Sequence, residues 1–179
     1  MQEIIVPEDG LLYKTTNGVP LMQLEYKHES SILSLFSKNE KSKIILACDD
    51  EESNIMVTNE KKGFLITADF ECCDISILNE EGKVTSSFGF DESGAQISLV
   101  NNEGKLCCSL EAGDDGGNLK LFNKNGNPII GLRSNNDNGD IGVVDKDGNI
   151  RVWLTINEET GALHLIDTNE NIIWTTLQD

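Results

Sequence analysis

The apolar residues of this chain recur on a 22-residue beat. The doublets Leu11/Tyr13, Leu33/Leu35, Ile55/Val57, Ile75/Ile77, Ile97/Leu99, Leu119/Leu121, Ile141/Val143 and Leu163/Leu165 start 22 residues apart, except for one step of 20 from Ile55 to Ile75. A fixed period in this range marks a repeat architecture, in which each unit buries its apolar side only beside its neighbours. Eight repeats account for residues 1–179, and the reading is a single β-repeat domain without a linker.

Each repeat holds two short runs of alternating apolar residues around a four-residue turn: "TTNG" at 15–18, "NEEG" at 79–82, "NNEG" at 101–104, "NKNG" at 123–126 and "DKDG" at 145–148. An Asx side chain at the first position can bond the backbone ahead of it. Gly at the last supplies the positive φ of a type I turn closed by a G1 bulge. "SKNE" at 37–40 and "DTNE" at 167–170 lack that Gly, so looser turns are expected there. The second strand returns with alternating positions such as Leu106/Cys108/Leu110 and Ile150/Val152/Leu154, and acidic connections such as "GDDGG" and "NEETG" lead onward. No stretch has helical periodicity. The fold class is therefore all-β: an array of eight two-stranded antiparallel hairpins, a meander closed as a sandwich or prism, or a single-layer sheet completed by oligomerisation. The alternative with the same period is a β-solenoid, against which the tight turns argue.

The alternation puts about 40 positions on one side of the sheet, few of them polar (Ser42, Ser86, Thr176). At strand and residue spacings of ~4.8 and ~6.7 Å, such a face covers ~1,300 Å². Soluble monomers rarely expose a patch beyond a few hundred Å², so this face must be covered. The opposite face is mixed and reads as largely solvated, with Lys43, Lys120, Arg151 and His164 around an apolar stripe beside the turns. Val100, Phe122, Val144 and Ile166 of that stripe, with Trp153, are the candidate self-association residues. Trp153 and Trp174 alternate out of phase and should point to opposite faces.

Composition narrows the function. With 31 acidic against 14 basic residues the net charge is −17, which disfavours nucleic acid and anionic membranes as partners. The start "MQEIIVPEDG" lacks the regions of a signal peptide, and no apolar run reaches the ~18 residues of a membrane span. Five cysteines, two pairs of them adjacent in sequence, are placed for neither a disulfide nor a metal clamp, since strand neighbours face opposite ways. Reduced thiols and a cytoplasmic location are the expectation.

No chemistry-bearing motif stands out. His28 and His164 lie in separate repeats without a ligand spacing, and nucleophile elbows, Gly-rich phosphate loops and CxxC pairs are absent. "DKDGN" at 145–149 starts like a calcium loop but lacks its later ligands, and an ordinary hairpin turn accounts for it. No cofactor and no catalytic or metal site is expected.

Two local patterns resemble known families. "VVDKDGNI" (143–150) and "LFNKNGNPI" (121–129) resemble the turn of YD-type hairpin repeats in Asp145, Gly148 and Asn149, with Val144 where the family has its tyrosine. That resemblance implies hairpin repeats, and the family's role in toxin shells is not carried over. "GALHLIDTNENIIWTT" (161–176) resembles a strand pair of bulb-type mannose-binding lectins, without their sugar motif.

The expected function is that of a non-catalytic structural or interaction protein, a scaffold that self-associates or binds a protein partner through an edge or an apolar face. The alternative is a carbohydrate-binding module using an inter-repeat loop, with Asn135, Asn136 and Asp137 as candidate ligand residues.

Overall fold

Alternating apolar and polar residues between Asx- and Gly-containing turns dictate strands, and every regular element observed is a strand. The computed structural model describes residues 7, 10–60, 62–135, 138–157 and 160–177. In unit 1, Met1–Glu92, the strands are β1 (Leu11–Lys14), β2 (Pro20–Lys27), β3 (Ser30–Phe36), β4 (Ser42–Cys48), β5 (Glu52–Asn59), β6 (Lys62–Asp69), β7 (Cys73–Leu78) and β8 (Val84–Asp91). In unit 2, Ser93–Asp179, they are β9 (Gly94–Val100), β10 (Leu106–Gly113), β11 (Gly116–Phe122), β12 (Pro128–Asn135), β13 (Asn138–Val144), β14 (Ile150–Asn157), β15 (Thr160–Ile166) and β16 (Ile172–Thr175). Within each unit the order in the sheet is the order in the chain, and every pair is antiparallel. These are hairpins rather than coils, so the solenoid alternative is set aside. Neither unit closes into a barrel: among the described residues, the first and last strands of each unit are not neighbours in the sheet.

The Asx-x-x-Gly turns form as the side chains require. Asn101 Oδ1 accepts from the N–H of Glu103 at 2.9 Å and of Lys105 at 3.0 Å, while Gly104 N–H donates to the Asn101 carbonyl at 2.9 Å. Asn79, Asn123, Asp145 and Asp167 repeat this pattern. The turn at 167–170 is not loose: Glu170 takes φ 65° where the other repeats have Gly, and the closing bond from Asp167 N–H to Asn171 O keeps its 2.9 Å. At 37–42 the turn is one residue longer, with Glu40 at φ 59° and Ser37 Oγ accepting from Ser42 N–H at 3.0 Å.

That extra residue has a physical reason. A turn symmetric about 101–105 would set Leu99 opposite Cys107, whereas the apolar pattern needs Cys108 there. The strand absorbs the odd residue as a bulge, so Leu99 pairs with Cys108 while Val100 pairs with Leu106. The same shift recurs at Tyr13/Lys14, Ile77/Leu78, Leu121/Phe122, Val143/Val144 and Leu165/Ile166. β3–β4 puts the residue in its longer turn and needs no shift. Leu106 and Ile150 do not continue the apolar rows of their strands; the bulge turns them out of phase, against Val100 and Val144.

Candidate functional site

Strand register, not any single motif, builds the principal surface. In unit 1 one row across the sheet reads Leu11, Leu24, Leu33, Leu46, Ile55, Ile66, Ile75, Phe88, each opposite the next. Beside it runs Tyr13, Met22, Leu35, Ile44, Val57, Phe64, Ile77, Ser86. In unit 2 the rows are Ile97, Leu110, Leu119, Leu132, Ile141, Leu154, Leu163 and Leu99, Cys108, Leu121, Ile130, Val143, Val152, Leu165, Trp174. No residue in these four rows is charged, in a chain with 45 charged side chains (31 acidic and 14 basic). Among the described residues, the charges lie on the turns, the strand ends, the connections and the other face, many in local pairs such as Lys83–Glu81 and Lys105–Glu103.

Among the described residues, nothing within either unit covers this surface. Leu132 is 45% exposed, Phe88 52% and Trp174 49%, and Ala162 is the only buried apolar residue among those described. The accessible surface totals 13253 Å². Two separate compact domains sharing the 19.7 kDa equally would together expose only about 10,000 Å². Each unit is thus a single layer with one apolar side open.

The opposite face corrects the expectation of a largely solvated surface, because four members of its central row are buried. The other buried side chains, Ser34, Ser76, Ser109 and His164, all sit there, and Ala162 lies on the same face. These are mostly short groups flanked by taller ones: Ser34 and Ser76 pair with Ile45 and Leu65, and Ser109 pairs with Lys120. Glu111 fixes that region, taking hydrogen bonds from Ser109 Oγ at 3.2 Å, Asn118 Nδ2 at 3.1 Å and Lys120 Nζ at 3.1 Å. Burial pushes the pKa of its carboxyl up, but the Lys120 ammonium and these donors outweigh it and hold the group below its usual range.

The candidate stripe also lies on that side. Val100, Phe122, Val144 and Ile166 are half-buried at the turn end, opposite Leu106, Pro128, Ile150 and Ile172. Trp153, 37% exposed, pairs with Gly142 and His164, and its ring lies 5.6 Å from the imidazole at a 38° tilt. Trp174 is on the apolar face opposite Leu165, as alternation requires. His164 Nδ1 is buried without a hydrogen-bond partner. Arg151 ties two turns together: Nε donates to Asp145 Oδ2 at 2.7 Å, and its terminal nitrogens reach Asp145 and the Asp167 carbonyl. Desolvation raises the Asp145 pKa, yet the Asn149 N–H, the Arg151 guanidinium and the Asp147 N–H together lower it to about 2. With its oxygens so engaged, Asp145 serves the hairpin.

Of the loop candidates, Asn135 ends β12 opposite Asn138, and Asn136 and Asp137 lie outside the described residues. At the root of this hairpin Arg133 pairs with Asp140 at 2.7 Å, beside an open groove of about 820 Å³ floored by Gly131 and Gly142. Among the described residues, no three His, Cys, Asp or Glu side chains are placed to share a metal ion, and no helix is long and apolar enough to cross a membrane. The chain matches no protein-family model, and no curated protein matches it either.

Proposed function

We propose that this protein is a non-catalytic interaction scaffold whose uncharged apolar face is the binding surface, used for self-association or for a protein partner. One observation carries the reading: rows of large apolar side chains run across each unit, half exposed, without a single charge. A folding core would be covered. A surface meant only for water would carry some of the chain's 45 charges (31 acidic and 14 basic).

The mechanism is geometric. The hairpin register repeats equivalent side chains at each strand step of ~4.8 Å, which gives a ridged surface suited to another apolar sheet or segment. The stripe of Val100, Phe122, Val144 and Ile166 is the second apolar element, but its half-burial leaves it less area to offer.

Leu132→Glu in the middle of the face tests the reading. A binding surface tolerates the carboxylate in the free chain, so the folded monomer changes stability by less than about 1 kcal/mol and loses its partner. Loss of ~3 kcal/mol or more in the isolated chain would instead mean that the face is an internal core.

A further inference from the structure

We infer that the occupant of the apolar face is a second copy of this chain, docked sheet on sheet; this rests on reading that face as the binding surface. Three observations lead there. The first is area. The chain exposes roughly 3,000 Å² more than two compact half-mass domains would. A stable interface of ordinary size removes only about 1,600 Å² counted over both partners. One chain alone therefore has more surplus surface than such an interface needs.

The second is charge. A chain of net charge −17 would most readily select a basic partner through its acidic groups, yet the exposed apolar rows contain none. What complements a neutral, row-ordered face is another neutral face of the same period, and the chain carries its own. Sheets packed face to face sit ~10 Å apart, and here the acidic turns and connections lie at the ends of the strands, outside the contact.

The third concerns the edges. β1 and β16 are four residues each, so joining copies edge to edge there would form few ladder bonds. The faces provide the contact.

Light scattering on a size-exclusion column, over a hundredfold range of concentration, tests this with the wild type, Leu132→Glu and Leu132→Thr. The expected result is a wild-type dimer or larger closed species. Leu132→Glu weakens it by about 100-fold or more and runs as a folded monomer, and Leu132→Thr weakens it by about tenfold. If Leu132→Glu does not fold from an oligomeric parent, Leu132→Thr decides, and an unchanged dissociation constant overturns the proposal. A wild-type monomer overturns it too. If Leu132→Glu is then folded with an unchanged unfolding midpoint, the face is free and the broader reading stands with a different partner. If Leu132→Glu is unfolded in that monomeric background, the chain covers its own face and both readings fall. An oligomer indifferent to both substitutions uses another surface and overturns this proposal, leaving the broader reading with a different partner.

Discussion

At the scale of single residues, the hairpins are governed by who accepts and who bends. Glu40 and Glu170 hold left-handed φ values of 59° and 65° at turn positions where Gly82, Gly104, Gly126 and Gly148 carry no Cβ to resent them. Replacing either glutamate with Gly should stabilise the fold by about 0.5–1 kcal/mol, read as a higher urea midpoint with an unchanged slope. Asp145 supplies a pH-dependent contribution. Its folded pKa of about 2 lies below the ordinary 3.8, so its stabilisation is complete above pH 4 and lost as pH falls through 2. Asp145→Asn keeps the turn acceptor that Asn101 and Asn123 provide but loses the ion pair with Arg151. Its urea midpoint should fall below the wild type's at pH 7, and the two should converge between pH 4 and 2. The turn acceptors were legible in the sequence because an Asx recurs at a fixed place. The buried serines were not: their burial comes from the height of the neighbours that register brings alongside, as with Ser109 and Lys120.

At the scale of the hairpin, parity decides the structure. The doublets Ile97/Leu99 and Leu119/Leu121 declare which side of each strand is apolar, and their register confirms it. The turn glycine implies a G1 bulge, but the further shift within the strand, between Leu106 and Cys108, escaped a reading by alternation because alternation counts within a strand. A signal was present: the turn at 101–105 and the pair Leu99/Cys108 cannot share one unbroken register. The same parity makes a deletion informative. Removing 119–140 joins Asn118 to Ile141, one full period on, and keeps every following side chain on its face. That variant should fold with β-type circular dichroism and a smaller unfolding slope in urea. Removing 119–139 instead flips every later residue to the wrong side, and it should fail to fold or aggregate.

At the scale of the molecule, charge and apolarity are segregated. The 31 acidic and 14 basic residues keep off the four apolar rows, and those rows are left half exposed. The sequence predicts a large apolar face and its need for cover. It does not say where the cover comes from, since periodicity fixes which residues share a side and not what lies above them. The adjacent thiols of β10 read that directly. Cys108 lies on the apolar face between Leu99 and Leu121, while Cys107 is the extra residue of the bulge, outside the paired rows, with Sγ 3.6 Å from the Lys105 carbonyl. Labelling the wild-type protein with a thiol reagent and comparing the two rates by mass spectrometry, across a dilution series, is the most direct measurement. Cys108 should react about tenfold or more slowly than Cys107 in concentrated solution and catch up on dilution. A ratio that stays the same at every concentration would contradict it.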